Sequence, residues 1–444
     1  MRSLVRGVLV VGYLGATAVP AATALAAAAA GAEEPTIAFT GARILPITGP
    51  EIAGGTLLIR GGRIVAVGAD VAVPAGAVVH DVAGRVLMPG LVDTHSHIGQ
   101  VAGADRSGPI QPDVRVLDSL NVRHSGIQKA QAGGITTANV MPGSGHLLSG
   151  QTLYIKLKDG GSVDELAIRR ADGGWAGGMK MANGTNSRRD PPFPGTRAKS
   201  AALVREQYVK AQGYCAKMAD PKLAEDKKPA RDLAMEGLCE VLSRKRIVQH
   251  HTHRHDDILT VLRLAKEFGF RVVVHHVSEG WKVADELAAA GVPASVIVID
   301  APGGKLEARD MALETGAILA KAGVQIAFHT DDPITDSRLF LRSAALAVRA
   351  GLPRTTALEA MTINGARMLD LGERTGSLEP GKDADFILLD GDPLSTYTKV
   401  LETWVEGVRV FDRDDPEDRL FAVGGYGASR DAVADDELER EGQL

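Results

Sequence analysis

Aromatic residues make up only 4% of this 444-residue chain, and its formal net charge of −5 supplies no basic field. Nucleic-acid binding draws on stacking rings and phosphate-neutralising cations, so that class is set aside. Also missing are a Gly-x-Ser-x-Gly nucleophile elbow and a Walker phosphate loop. The glycine-rich run Gly173 to Gly178 is not followed by the helix start that phosphate binding needs.

Cysteine is equally sparse. Cys215 and Cys239 are the only two, and they fall in one stretch. In an oxidising compartment they would form a disulfide, and two unpaired core thiols are the alternative reading.

What is present fits a soluble globular protein. Hydrophobic residues account for 45% and charged residues for 24%, which argues against disorder and against a multispan membrane protein. The length exceeds one ordinary domain, and one large domain with an accessory piece is expected. Arg2 and Arg6 precede an apolar run from Val8 to Ala30, followed by Glu33-Glu34-Pro35, the order of a secretory signal peptide over residues 1–32. The expected location is periplasmic or secreted, with no stable membrane insertion after cleavage. A retained anchor is the alternative, because the apolar run approaches a bilayer span.

Short β-type runs follow at Ile37–Ile44, Thr56–Val67 (broken by Gly61-Gly62, a hairpin signal) and Ala77–Leu87. Similar character returns at Asp385–Leu389 and Thr403–Phe411, so residues 33–88 and 377–424 are expected to pair into one small β-sandwich domain. Between them, strands and helices alternate. Eight candidate strands, Leu91–His97, Ile135–Met141, Glu165–Arg169, Met179–Ala182, Ile247–His251, Arg271–His276, Ala294–Ile299 and Val324–Asp331, fit an α/β fold, a (β/α)8 TIM-like barrel over residues 89–376. Acidic starts and glycine stops mark helices from Asp256 to Phe268, Trp281 to Ala290 and Arg309 to Ala322. A helical insertion at about 196–246 carries both cysteines. It would serve either as a lid over the barrel mouth or as a packing contact. Residues 425–444 read as an acidic tail that is poorly ordered.

Histidine is concentrated where chemistry would sit. His250, His251, His253, His255, His275, His276 and His329 lie within about a fifth of the chain, and His95 and His97 end the first barrel strand. Side chains alternate across a strand, so His95 and His97 face the same way and can share one metal ion.

The run Val86 to His97 resembles the signature that opens the barrel in the amidohydrolase superfamily. The likeness continues at Gly134-Ile135-Thr136-Thr137 and over Gly376 to Asp385, and is strongest to the imidazolonepropionase-related branch. The resemblance implies metal ligands at His95, His97, His251, Asp331 and one of His275 and His276. Strand alternation allows only one of each adjacent histidine pair to face inward, and His251 and His276 are preferred. It also implies that Lys180 is a carboxylated lysine bridging two metals. A substrate-binding or ion-paired amine is the alternative for this residue.

Imidazole and carboxylate donors suit zinc, with manganese, iron or nickel compatible. The implied reaction has a metal-bound hydroxide attack an amide carbonyl, with Asp331 as general base and His253 polarising or positioning the carbonyl. His146, Asn183 and Arg254 are candidates for holding substrate, and Asp332 reads as a cap or turn residue. The expected substrates are small molecules, namely N-acyl amino acids, dipeptides or cyclic amides, and a homo-oligomer is expected. Two other readings stay open: a mononuclear deaminase or cyclic-imide hydrolase, and a non-catalytic binding barrel. No Glu stands two or three residues after His251, which weighs against deamination.

Overall fold

A computed structural model describes residues 34–424, apart from 100, 102–104, 106 and 298–304, together with residue 428. The expected signal peptide and all of the acidic tail except Ala428 lie outside these residues. Among the described residues, no helix is long and apolar enough to cross a membrane.

The chain opens with five short strands, β1 (Ile37–Ile44), β2 (Ile52–Arg60), β3 (Arg63–Gly68), β4 (Val78–Asp81) and β5 (Val86–Pro89). The central strands are β6 (Leu91–Ser96), β7 (Ile135–Val140), β8 (Leu148–Gln151), β9 (Leu153–Lys156), β10 (Met179–Ala182), β11 (Val248–Thr252), β12 (Val272–His276), β13 (Ala294–Val296) and β14 (Ile326–Phe328). Last come β15 (Phe386–Leu389), β16 (Val400–Val405) and β17 (Val408–Asp412).

The two chain ends join in one eight-stranded sheet of order β17-β16-β15-β5-β1-β2-β3, with β4 alongside β1. The turn between β2 and β3 is Gly61-Gly62, with φ of 58° and 71°, the left-handed pair that a two-residue hairpin turn demands. A side chain at Gly62 would also meet the Glu406 carbonyl at 2.8 Å. The core of this sheet is largely aliphatic, with Ile44, Leu57, Ile59 and Leu87 around an aromatic trio. Phe39, Phe386 and Trp404 pack with ring centroids 4.8 to 5.5 Å apart, edge-on or stacked as their quadrupoles favour.

The central strands form a barrel-type α/β arrangement whose strand ladders do not close among the described residues. One arc runs β14-β13-β12-β11-β10-β8 and the other β6-β7-β9. The expected third strand, Glu165–Arg169, is displaced. Its first residues belong to a helical turn, Val163–Leu166, in which Glu165 accepts from the Gly161 amide and the Ser162 hydroxyl at the turn's own start. The third position is filled by β8 and β9, consecutive strands interrupted at Thr152, which run antiparallel to β10 and β7 respectively. Opposite, β6 and β14 are joined without a ladder: the Asp331 amide donates to the His95 carbonyl at 2.9 Å, and Thr94 Oγ1 to the Phe328 carbonyl at 3.3 Å.

Helices lie outside this barrel. His255–Phe268 ends at Gly269, with φ 73°, the left-handed stop of an αL cap. The other two expected helices are shorter than their patterns, Ala284–Ala290 and Thr315–Lys321. Asp310 is drawn out of helix: its carbonyl accepts from Trp281 Nε1 at 3.0 Å and its carboxylate from Lys282 Nζ at 2.6 Å.

The 196–246 segment connects β10 to β11 and carries the helices Arg197–Ala219 and Leu233–Leu242. Helix Arg197–Ala219 buries Ser200, Val204, Tyr208 and Ala211, a spacing of three and four that makes one stripe. It starts at an Arg197–Asp257 ion pair of 2.8 Å and reaches Phe268 and Phe270, on which Tyr208 stacks at 5.1 Å. A disulfide joins Cys215 to Cys239, with Cα atoms 5.7 Å apart. It ties this helix to Leu233–Leu242 and contributes on the order of 3 kcal/mol for a loop of this length.

Candidate metal centre

The site is built where β6, β10, β11, β12 and β14 end. Asp93, buried in β6, accepts from the Thr330 amide at 3.1 Å and its hydroxyl at 2.5 Å, and from the His95 amide at 3.2 Å. These bonds pin the first strand's end to the last. Burial pushes the Asp93 carboxyl up to about 7 against those hydrogen bonds.

His95 and His97 then converge on one carboxylate oxygen. Asp331 Oδ1 lies 3.1 Å from His95 Nε2 and 2.9 Å from His97 Nε2. The other nitrogen of His97 faces the Met141 carbonyl at 2.6 Å, the outer contact that fixes a ligand imidazole's tautomer and ring angle. Asp331 has φ 49°, a strained conformation for a non-glycine residue that clusters at functional sites. Burial would raise its carboxyl, but the hydrogen bond from His97 and the surrounding imidazoles hold it below the usual range. Asp332 turns away and accepts from the Ser337 amide at 2.9 Å and hydroxyl at 2.5 Å, as a turn residue does.

Lys180 on β10 is fully buried. Its Nζ lies 2.9 Å from His95 Nε2 and 3.0 Å from Met141 Sδ. Burial pulls its ammonium down to about 7, partly opposed by Asp331, so near neutral pH much of it is free amine.

His251 and His250 separate as alternation requires. His250 bonds its Nδ1 to the His251 carbonyl at 3.0 Å and lines a cavity of about 460 Å³ behind the strands with Ala182, Val204 and Leu264. His251 faces the centre, where its ring centroid is 4.2 Å from that of His276 and 4.6 Å from that of His253.

The adjacent pair His275 and His276 breaks the expectation that only one faces inward. His275 lies 5.0 Å from His95 ring to ring, and His276 lies the same distance from it. The strand ends there: His276 and Val277 have φ of 71° and 45°, which breaks the alternation and turns the second imidazole inward as well. Three groups of close donors result, His95 with His275 and His329, His251 with His253 and His276, and His95 with His97 and Asp331.

Burial holds His95, His251, His275 and His276 well below the usual imidazole range. His329 falls to about 3 by burial. His253 falls to about 4, by burial and then by the nearby Lys305 charge. Neutral imidazoles are the form that binds metal. His95 Nδ1, His275 Nδ1, His276 Nε2, His253 Nε2 and both nitrogens of His251 are buried with no hydrogen-bond partner. Each orphaned donor or acceptor costs about 1–3 kcal/mol, and nitrogen donors of this kind with one carboxylate fit a divalent transition metal.

The proposed substrate residues fare differently. Arg254 is paired with Asp256 at 2.9 Å through both Nε and Nη2. Asn183 donates to the Asp257 carbonyl at 3.0 Å, on the outer side of the strands. His146 is buried, its ring 5.2 Å from that of Phe193. The sequence reading missed the supporting groups: Gln249, whose Oε1 lies 2.7 Å from His275 Nε2, Ser278 and Ser295, and the charge of Lys305. Gln249 and Ser278 each stand two residues from a candidate histidine or its neighbour, so strand periodicity could have found them.

This geometry agrees with the comparisons, and the chain belongs to the amidohydrolase superfamily. The profile of the Amidohydrolase family matches residues 243–411. A solved amidohydrolase from Thermotoga maritima MSB8 is 34% identical, with a TM-score of 0.78, and the match covers 85% of this chain and 100% of that one. The imidazolonepropionase of Deinococcus radiodurans is 28% identical over 376 residues, 77% of this chain and 86% of that protein. The amidohydrolase tasK of Hapsidospora irregularis is 28% identical over 371 residues, which span only 38% of its own length. Within the superfamily the chain is related to the imidazolonepropionase branch. It is a hydrolytic enzyme acting on C–N bonds, of a family that is metal-dependent.

Proposed function

We propose that this chain is an exported hydrolase that cleaves the C–N amide bond of an N-acyl amino acid, a dipeptide or a cyclic amide. The similarity to imidazolonepropionases favours the cyclic amide among these. The observation that carries the reading is the set of buried imidazole nitrogens without hydrogen-bond partners among the described residues, gathered at the strand ends with the His95, His97 and Asp331 group beside them.

We assign two divalent ions, with zinc the best match to the donor set, to His95, His97, Lys180, His251, His276 and Asp331. Bound there, they would lower the pKa of a coordinated water towards about 7 and polarise a carbonyl. The chain's own part is proton handling and alignment. The Asp331 carboxylate takes a proton from the attacking water and returns it to the leaving nitrogen, the task of a positioned general base. Its backbone is held for this by the hydrogen bond that its amide donates to the His95 carbonyl. Lys180, lowered to about 7 by burial, offers a substantial share of free amine at neutral pH and is suited to carboxylation by carbon dioxide, which would release a proton and turn a neutral amine into an anionic ligand. We further infer that the eight-stranded sheet, drawn around Phe39, Phe386 and Trp404, is the small β-sandwich domain, and that the enzyme is a homo-oligomer.

The test is metal stoichiometry by elemental mass spectrometry on chelator-free protein prepared with bicarbonate, followed by a substrate screen. Two ions per chain and turnover of these amides are expected. One ion per chain would favour the mononuclear reading and cyclic imides or deamination substrates. No ion even after metal is added back would overturn the proposal.

A further inference from the structure

Two of the three donor groups differ in composition. His95, His97 and Asp331 mix nitrogen with oxygen, whereas His251, His253 and His276 offer imidazole alone. Lys180 sits against His95 at 2.9 Å and Met141 at 3.0 Å, on the side of the first group.

The His251, His253 and His276 group is one of two all-imidazole groups, the other being His95 with His275 and His329, and it is assembled by two neighbouring strands. Thr252 on β11 pairs with His276 on β12, so His251 and His253 flank that register position and point to one side of the strand. The positive φ of His276 brings its ring to meet them, with centroids 4.2 Å from His251 and 5.0 Å from His253. Outer contacts then decide which nitrogens stay free. His253 Nδ1 is held by Ser278 Oγ at 2.7 Å and His276 Nδ1 faces His329 Nε2 at 3.3 Å. His329 Nδ1 is anchored in turn by Ser295 Oγ at 2.6 Å. The remaining Nε2 atoms of His253 and His276, and both nitrogens of His251, are buried and unpartnered. His253 and His276 thus show the pattern common in a ligand imidazole, one nitrogen anchored and the other free, whereas neither nitrogen of His251 is anchored.

We propose that His253 is a metal ligand, completing a three-imidazole site with His251 and His276 that holds its ion without Lys180. This rests on the assignment of metals to this centre and replaces the expectation that His253 contacts the substrate carbonyl. An all-nitrogen set discriminates by ion class: it favours zinc, cobalt, nickel or copper over manganese and magnesium, whereas the His95–His97–Asp331 set, with its oxygen, also accepts manganese.

The experiment uses the full chain, stripped by chelator and refilled with Co²⁺ without bicarbonate. Bound metal is read by elemental analysis and ligand geometry by the visible absorption of the cobalt. K180A is expected to retain one cobalt per chain with the spectrum of a nitrogen-rich tetrahedral site. H253A should bind that ion more weakly by at least about tenfold and lose its spectrum, and S278A, which frees the ring, should weaken it by about 10- to 100-fold as outer-contact changes do. H253Q serves if H253A fails to fold, since its amide keeps the volume and polarity but not the imidazole donor. Wild-type affinity and spectrum in the His253 variant, or loss of all cobalt from K180A, would overturn the inference. Failure of the hydrolase reading would look different, as two bound ions with no turnover of any amide.

Discussion

Two buried lysines show how differently the same side chain is used in the two halves of this molecule. Lys156, on β9 beside the eight-stranded sheet, is 2% exposed and fully answered. It contacts Asp383 at 3.0 Å and also Asp385, and Asp385 in turn accepts from Thr375 Oγ1 at 2.7 Å and the Glu406 amide at 2.9 Å. Arg374 and Arg63 complete the cluster at 3.0 and 2.5 Å from Asp383. Lys180 is just as buried but meets an imidazole and a thioether, with no carboxylate in hydrogen-bond contact and several orphaned nitrogens around it. A buried charge that is paired and hydrogen-bonded holds elements together, and one left short of partners marks a place where something else must bind.

The sharpest break in that contrast is expected at the metal centre. Asp331→Asn should cut kcat on a cleaved amide by about 10²- to 10⁴-fold, the range for losing a general base, in steady-state kinetics. Unchanged turnover would show that the proton takes another path.

Exchanging the two lysines for methionine should separate stability from chemistry. Lys156→Met leaves Asp383 and Asp385 buried with fewer partners and should cost about 3 kcal/mol in urea unfolding while leaving metal content alone. Lys180→Met should cost the metal-free protein little or nothing, because an amine lacking a carboxylate partner is replaced by an apolar chain. Equal destabilisation by both would erase the distinction.

A smaller effect is expected from pH. With its pKa at about 7, Lys180 is mostly free amine above pH 7 and mostly ammonium below it. Only the free amine takes up carbon dioxide, so bicarbonate-dependent metal uptake should be lost as pH falls through 7. At pH 6 about a tenth of the amine is unprotonated, and uptake that rises on acidification would contradict the carboxylation. The smallest change should follow Arg254→Ala. That side chain is 38% exposed and engaged by Asp256, and exposed pairs contribute about 0–1 kcal/mol. KM should move by less than about twofold, whereas a large rise would return Arg254 to substrate binding.

Much of the fold was legible before the structure, because local patterns write it. The β2–β3 hairpin follows from Gly61-Gly62, and the helix His255–Phe268 from its acidic start and Gly269 stop. His95 and His97 could be placed on one face because side chains alternate along a strand, whereas His251 and Asp331 were expected as ligands from the resemblance to the superfamily. The third strand was misplaced because β8 and β9 run antiparallel to their neighbours, and partner direction is set by long-range pairing, not by local composition. The length and helical character of the 196–246 segment were visible in the sequence, but not that Tyr208 stacks on Phe268 and Phe270 far along the chain.

The sequence by itself determined which residue types are available, how they repeat and therefore the superfamily and the ligand inventory. The tertiary structure alone decided that His275 and His276 both face the centre, that Asn183 donates to the Asp257 carbonyl, and that Lys156 is satisfied where Lys180 is not. Those outcomes depend on backbone angles at strand ends and on partners tens to hundreds of residues away, which no local pattern encodes.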